Sequence, residues 1–280
     1  MDFTQTLGDT SSDKIIITYQ RSNTNRPINN LSIQSLAKEP SSVIKKKPLL
    51  PLSLKKLIPG SSKLYPFTTR PPYTEHYGKR IAPSVFSVVF NTNKGMFTVR
   101  CYRNWSPYGV DRFYTLVRDK YYNNNTIFRV VEGSIVQFGI NGDPRVSQYW
   151  EHKTIPDETN TISNTRGRVT FAADFNEETS RATGRTTQIF ISTGDNSNLD
   201  ELGFPPIGEV IFGMDIIDTF CAGYGETAGM DQENMYNYGN KYICKVYPQL
   251  DWILCAKLCD CLECKPCYKN YSSSSFGRSS

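Results

Sequence analysis

Short β-rich runs recur through the middle of this chain, and only one early stretch among them has helical spacing. "SVFSVVF" and "MFTVRCY" flank "NTNKG", whose Asn and Gly suit a hairpin loop that needs positive φ. "FRVVEGSIVQF", "GRVTFAAD", "TTQIFIST" and "IGEVIFG" follow. Between the hairpin and these runs, "WSPYGVDRFYTLVRDKYY" places Ser106 as an N-cap and Pro107 at the first helical position. Val110, Phe113, Tyr114 and Val117 then fall on one face. Many strands with a single early helix favour a closed β-barrel over a parallel α/β sheet. "GMDIIDTF" predicts a short second helix carrying Ile216, Ile217 and Phe220, and "KYICKVYPQLDWILCAKL" predicts a return to strand.

One run breaks its own pattern. "FRVVEGSIVQFGINGDP", residues 128–144, sets Arg129 inside an apolar stretch and Gln137 beyond a glycine. A guanidinium keeps its charge at any accessible pH, and burying it is costly without a partner or a ligand. Taken alone, Arg129 is either a strand arginine paired with a carboxylate or a charged donor at a binding site. Gln137 and Gln188 alone read as ordinary polar strand residues, and Phe190 alone reads as core.

The chain's 280 residues suffice for one sizeable core with extensions. Residues 1–80 carry 13 Lys/Arg against 5 Asp/Glu, net +8; residues 81–280 carry 19 against 22, net −3. With Ser, Asn and Pro throughout and few apolar residues, the leader 1–80 is expected to be largely disordered. Its "VIKKKPLLPLSLKKLIPG" strip, residues 43–60, reads as a nuclear address, an anionic-surface contact, a partner strip or a solvated linker. No secretory signal and no 18-residue apolar window is visible, so no membrane span is expected and the protein is placed in the cytoplasm, with the nucleus as the other option. The barrel is assigned to 81–260, and 261–280 to a Cys-containing, Ser-rich tail.

Five of the eight cysteines, Cys255, Cys259, Cys261, Cys264 and Cys267, crowd the end of the chain. Two of their spacings suit a thiolate zinc site, but no long spacer separates two ligand pairs. Zinc, lipid attachment or redox chemistry, and unligated thiols all stay open, with Cys255 assigned to the last strand. Walker, dinucleotide-binding, GxSxG and HExxH motifs are absent, and His76 and His152 lie in polar sequence. Any activity is therefore expected to need neither histidine nor metal. The basic residues of the barrel are not interleaved with aromatic ones, which argues against a nucleic-acid platform. Oligomeric state is not readable.

Taken together, "FRVVEGSIVQFGINGDP", "RGRVTFAAD", "TTQIFISTGDNSNLDELGFPPIGEVIFGMDIIDTFCAGYGE" and "GNKYICKVYPQLDWILCAKL" resemble the cyclophilins over roughly residues 84–260, in that family's order. The resemblance implies an eight-stranded antiparallel barrel capped by two helices, and peptidyl-prolyl cis-trans isomerase activity without a cofactor. Arg129 matches the family's catalytic arginine and Gln137 the glutamine that positions it. Phe190 matches the floor of the proline pocket, with Leu199, Ile135 and Gln188 at its walls. Ala172 and Ala173 fall where backbone groups bind the peptide, and Phe204 falls near the usual histidine. Proline-containing peptides or proteins are the implied partners. Cyclosporin-like cyclic peptides are implied too, weakened because Asn198 replaces a tryptophan. Ser134 stands where the family has phenylalanine, and "FNEETSRATGR" enlarges the loop beside the pocket. These departures leave a second reading open, a catalytically impaired proline-binding or scaffold module on the same barrel.

Overall fold

The computed structural model describes residues 80–259 and, before them, the backbone of three short strands. These are β1 (Thr4–Leu7), β2 (Ile15–Thr18) and β3 (Ser32–Ser35), paired antiparallel in that order. The leader's composition argues against fixed structure, and these strands fall where it is locally β-favouring, as in Ile15-Ile16-Ile17. The rest of that expectation lies outside the described residues, as do the strip 43–60, His76 and the tail 260–280.

β4 (Val85–Thr92) and β5 (Met96–Tyr102) form the hairpin predicted from "NTNKG". Gly95 sits at φ +142, and the Thr92 N–H donates to its carbonyl at 2.8 Å. The other barrel strands are β6 (Asn125–Val131), β7 (Ile135–Phe138), β8 (Arg168–Phe171), β11 (Ile189–Ser192), β12 (Pro206–Phe212) and β13 (Asp251–Cys259). β9 (Asp174–Asn176) and β10 (Arg181–Thr183) make a separate hairpin from the enlarged loop. The barrel closes in the order β11-β7-β6-β13-β4-β5-β12-β8, because β11 pairs with both β7 and β8. This is the expected eight-stranded antiparallel barrel.

α1 (Pro107–Arg118) buries Val110, Phe113, Leu116 and Val117. Phe113 meets Tyr122 at 5.6 Å and Phe90 at 6.3 Å, and Phe90 stacks on Phe97 at 4.7 Å and meets Phe138 at 5.7 Å. These rings form one continuous aromatic core between helix and barrel. Ser106 occupies the N-cap position but makes no side-chain cap. The Glu158 carboxylate accepts from Tyr108 N at 2.7 Å, from Gly109 N at 3.1 Å and from the Ser106 hydroxyl. A carboxylate offers more acceptor sites than a hydroxyl and puts negative charge at the positive end of the helix.

The described residues hold more helix than expected. α2 (Pro144–Glu151) is capped by Asp143, whose carboxylate accepts from Arg145 N at 3.0 Å. α3 (Met214–Ile217) is the short helix predicted at Ile216 and Ile217. α4 (Gly225–Met230) and α5 (Gln232–Val246) follow, so "KYICKV" is helical and strand resumes only at Asp251. Its β-branched and aromatic content is overridden by tertiary packing. Met235, Tyr236 and Ile243 bury together with Phe128, Ile140, Ala228, Tyr247 and Leu250. No helix among the described residues is long and apolar enough to cross a membrane.

Candidate active site

The site begins with a β-bulge. Ile127 pairs with Phe138 but Arg129 pairs with Gln137, so β6 advances two residues while β7 advances one. Phe128 is the additional residue. In an unbroken strand, Arg129 would share a face with Ile127, whose neighbour Phe138 lies in the aromatic core. The bulge moves it to the face of Phe128 instead, the outer face of the barrel. There it joins a row across the sheet, since Gln137 pairs in turn with Phe190 and Phe190 with Thr170. Ile135, two residues before Gln137, lies on the same face.

Arg129 is 5% exposed, and each of its three guanidinium nitrogens has a partner. Nε donates to Glu226 Oε2 at 2.8 Å, Nη2 to Glu226 Oε1 at 2.7 Å, and Nη1 to Gln137 Oε1 at 2.9 Å. Gln137 Nε2 donates to Gln188 Oε1 at 2.8 Å, and Gln188 Nε2 to Gln232 Oε1 at 2.8 Å and Tyr236 Oη at 3.1 Å. Gln232 Nε2 ends the relay on the Gly229 carbonyl at 3.0 Å. Burial raises the Tyr236 phenol to about 12, so it stays a neutral hydroxyl. The buried arginine therefore has both a carboxylate partner and a place in a polar row.

A sequence model of the family described as cyclophilin type peptidyl-prolyl cis-trans isomerase/CLD matches residues 87–237. The chain belongs to the cyclophilins. Peptidyl-prolyl cis-trans isomerase B of Escherichia coli strain K12 is 29% identical over 154 residues, covering 52% of this chain and 90% of that protein. A peptidyl-prolyl cis-trans isomerase of Acinetobacter baylyi is 29% identical over 150 residues, covering 52% and 77%. The crystal structure of a cyclophilin type isomerase from Cryptosporidium parvum superposes with a TM-score of 0.47 at 16% identity, covering 63% of this chain and 99% of that one.

On this cyclophilin barrel Phe204 and the segment Ala172–Ala173 connect to the same row. The ring of Phe190 meets Phe204 edge-on, with centroids 6.1 Å apart, and both are buried. Asn164 Nδ2 donates to the Phe204 carbonyl at 2.8 Å and to Asp200 Oδ1 at 2.8 Å, which braces the loop carrying Leu199. Leu199 is buried in a short 3-10 turn, Ser197–Leu199. The Ala172 N–H donates to the Gln188 carbonyl at 2.9 Å, tying the segment Ala172–Ala173 to the relay. Gly139, at φ +115, lets the chain lie against Gln188, since a Cβ there would come within 2.7 Å of its Cα.

The departures have structural consequences. Ser134 turns its hydroxyl to Asn196 Oδ1 at 3.3 Å, and Asn196 Nδ2 donates back to the Ser134 carbonyl at 2.9 Å. Asn198 is exposed. Asp174, just before the enlarged loop, acts electrostatically on Tyr236 of the relay, and burial raises its own carboxyl to about 6. Cys255 lies in β13 as anticipated, and no group of three or more His, Cys, Asp or Glu among the described residues is arranged to hold a metal. Glu226, Gln232 and Tyr236 escape sequence reasoning. For Gln232 and Tyr236 the signal is the spacing of Gln232, Met235 and Tyr236, which is helical rather than loop up to the break at Gly239 (φ 58, ψ −151); Glu226, in α4, has none.

Proposed function

We propose that the outer-face row of Arg129, Gln137 and Phe190 binds an Xaa-Pro segment of a peptide or folding protein and accelerates rotation about the bond before proline, without a cofactor. The rotation is opposed by a barrier of about 18–20 kcal/mol, because the nitrogen lone pair is conjugated with the carbonyl. A hydrogen bond from Arg129 to the prolyl nitrogen is stronger when that lone pair is deconjugated, so it stabilises the transition state more than either ground state. Arg129 is the catalytic group in this reading and Gln137 positions it. Phe190 is the floor for the proline ring, with Phe204, Ile135 and Leu199 around it. Of Ala172 and Ala173, backbone groups meet the peptide, and Gln188 holds the polar wall. Cyclosporin-like cyclic peptides would bind the same face weakly, since exposed Asn198 replaces an aromatic contact.

The observation that carries this reading is the guanidinium held in one cross-strand row with Phe190, on the far side of Gln137, with donors to spare. Of its five N–H groups, three are committed among the described residues, leaving one on each terminal nitrogen. Isomerisation of short Xaa-Pro peptides by the full chain is the test. Catalysis above the spontaneous rate, falling at least tenfold (about 1.4 kcal/mol) in a folded Arg129→Ala variant, is expected. A wild-type rate equal to the spontaneous one would overturn the isomerase and leave a proline-binding module, which the Ser134 side chain, turned toward Asn196, favours.

A further inference from the structure

Seven consecutive residues, Glu226–Gln232, grip Arg129 from two directions. Glu226 takes the Nε and Nη2 edge as a fork, at 2.8 and 2.7 Å. Gln232 sits at the far end of the amide relay that fixes Gln137, and Gln137 takes Nη1. Gly229 lies between them, so close that a Cβ on it would come within 2.7 Å of Arg129 Cδ. A two-point fork fixes the plane of a guanidinium, and the third bond, on a different nitrogen, resists rotation of that plane about the Cδ–Nε axis. The carboxylate also balances a charge whose side chain is only 6% exposed, while Glu226 itself is 28% exposed.

We infer that Glu226 and Gln232 are positioning residues that lock the guanidinium of Arg129 in one orientation, with its two uncommitted N–H groups left for the substrate. The inference rests on the isomerase reading for its catalytic consequence, though the lock itself is a property of the free protein. A donor aimed at a nitrogen that pyramidalises only in the transition state gains from being fixed in advance. The lock should therefore act on kcat and leave KM nearly alone.

Two measurements on the full chain test it. In the first, nitrogen NMR of arginine Nε–H groups, with the Arg129 signal identified by its loss in Arg129→Lys, should show slow exchange with water. That protection should disappear in Glu226→Ala. In the second, Glu226→Ala, Glu226→Gln and Gln232→Leu should lower kcat by about ten- to a hundredfold, with Glu226→Gln the mildest because it keeps one acceptor. None should lower the residual rate further in an Arg129→Ala background, whereas damage to the barrel as a whole would. If Glu226 masked the arginine, its removal would raise kcat, and that result overturns the lock. So does an active wild-type protein whose kcat and Nε–H exchange are both indifferent to Glu226→Ala, a result that leaves the isomerase reading intact. An inactive wild-type protein with a protected Nε–H that Glu226→Ala exposes would overturn the isomerase and keep the lock.

Discussion

Asp174 carries the clearest pH dependence near the site. Burial raises its carboxyl from an ordinary value near 3.8 to about 6 in the folded protein. Between those values the folded chain binds more protons than the unfolded one, so Asp174 lowers stability as pH rises through about 6, and the effect is absent below the unfolded value. The loss for this one group is roughly 1–3 kcal/mol. Denaturant titrations at pH 4 and pH 7.5 should show wild type losing that much more than Asp174→Asn; equal losses would show that the carboxyl is not desolvated. Ser134 poses a different question, because its backbone is pinned by the Thr193 N–H at 2.7 Å and by Asn196. Phe204 already walls one side of Phe190, so Ser134→Phe adds a second wall rather than the first. It is expected to raise kcat/KM severalfold, about 1 kcal/mol of the new burial being felt by the proline ring. Unchanged or lower activity in a stably folded variant would show that this wall does not limit the site.

Among the elements, α4 depends most on a single residue. Gly229→Ala would drive a methyl into Arg129 Cγ and Cδ, at 2.8 and 2.7 Å, near the stem of that side chain rather than its flexible end. The variant is expected to lose about 1–3 kcal/mol of stability and to fall in kcat/KM, read by thermal melting and peptide assay together. An unaffected Gly229→Ala would mean that α4 stands further from β6. The N-terminus of α1 depends similarly on Glu158. Removing that carboxylate in Glu158→Ala also strips a partner from Arg185, which is 1% exposed and donates to it at 3.0 Å. A loss of about 3–5 kcal/mol follows from the uncompensated buried charge. Neither element was fully legible in the sequence. The β4–β5 hairpin, α1 and the strand runs have local signals, namely turn residues, a Ser-Pro start and periodicity. The Glu158 cap joins residues about fifty positions apart, so Ser106 looks locally sufficient. α5 was hidden because "KYICKV" has β-strand composition and reveals its helical face only against Phe128. The bulge at Phe128 leaves no mark of its own, yet it explains why an apolar strand tolerates Arg129. Resemblance names Arg129, Gln137 and Phe190, which the strand register sets in one row, while the partner Glu226, 97 positions away, has no signal in the sequence.

At the scale of the molecule, charge and core are segregated along the chain. The leader holds the excess of Lys and Arg, and the aromatic core and the barrel strands all lie between Val85 and Cys259. A barrel closed on itself leaves no edge strand within it that another segment must cover. Its N-terminal clasp starts a few residues before β4. Arg80 Nη1 pairs with Asp119 at 2.8 Å, and the N–H of buried Ala82 donates to Asp111 Oδ1 at 2.8 Å. The first contact is a partly exposed ion pair of the kind that contributes at most about 1 kcal/mol, and the second is a charge-assisted hydrogen bond of about 1.5–3 kcal/mol. A chain beginning at Arg80 should therefore fold cooperatively and keep its isomerase activity. One beginning at Val85 loses both contacts and should melt several degrees lower, since about 1 kcal/mol shifts the midpoint of a domain this size by roughly 2–4 °C. Comparing the two shortened chains in one calorimetric series isolates the clasp from the leader. Equal midpoints would show that Arg80 and Ala82 add nothing, and failure of the Arg80 chain to fold would show that the barrel draws on residues before it.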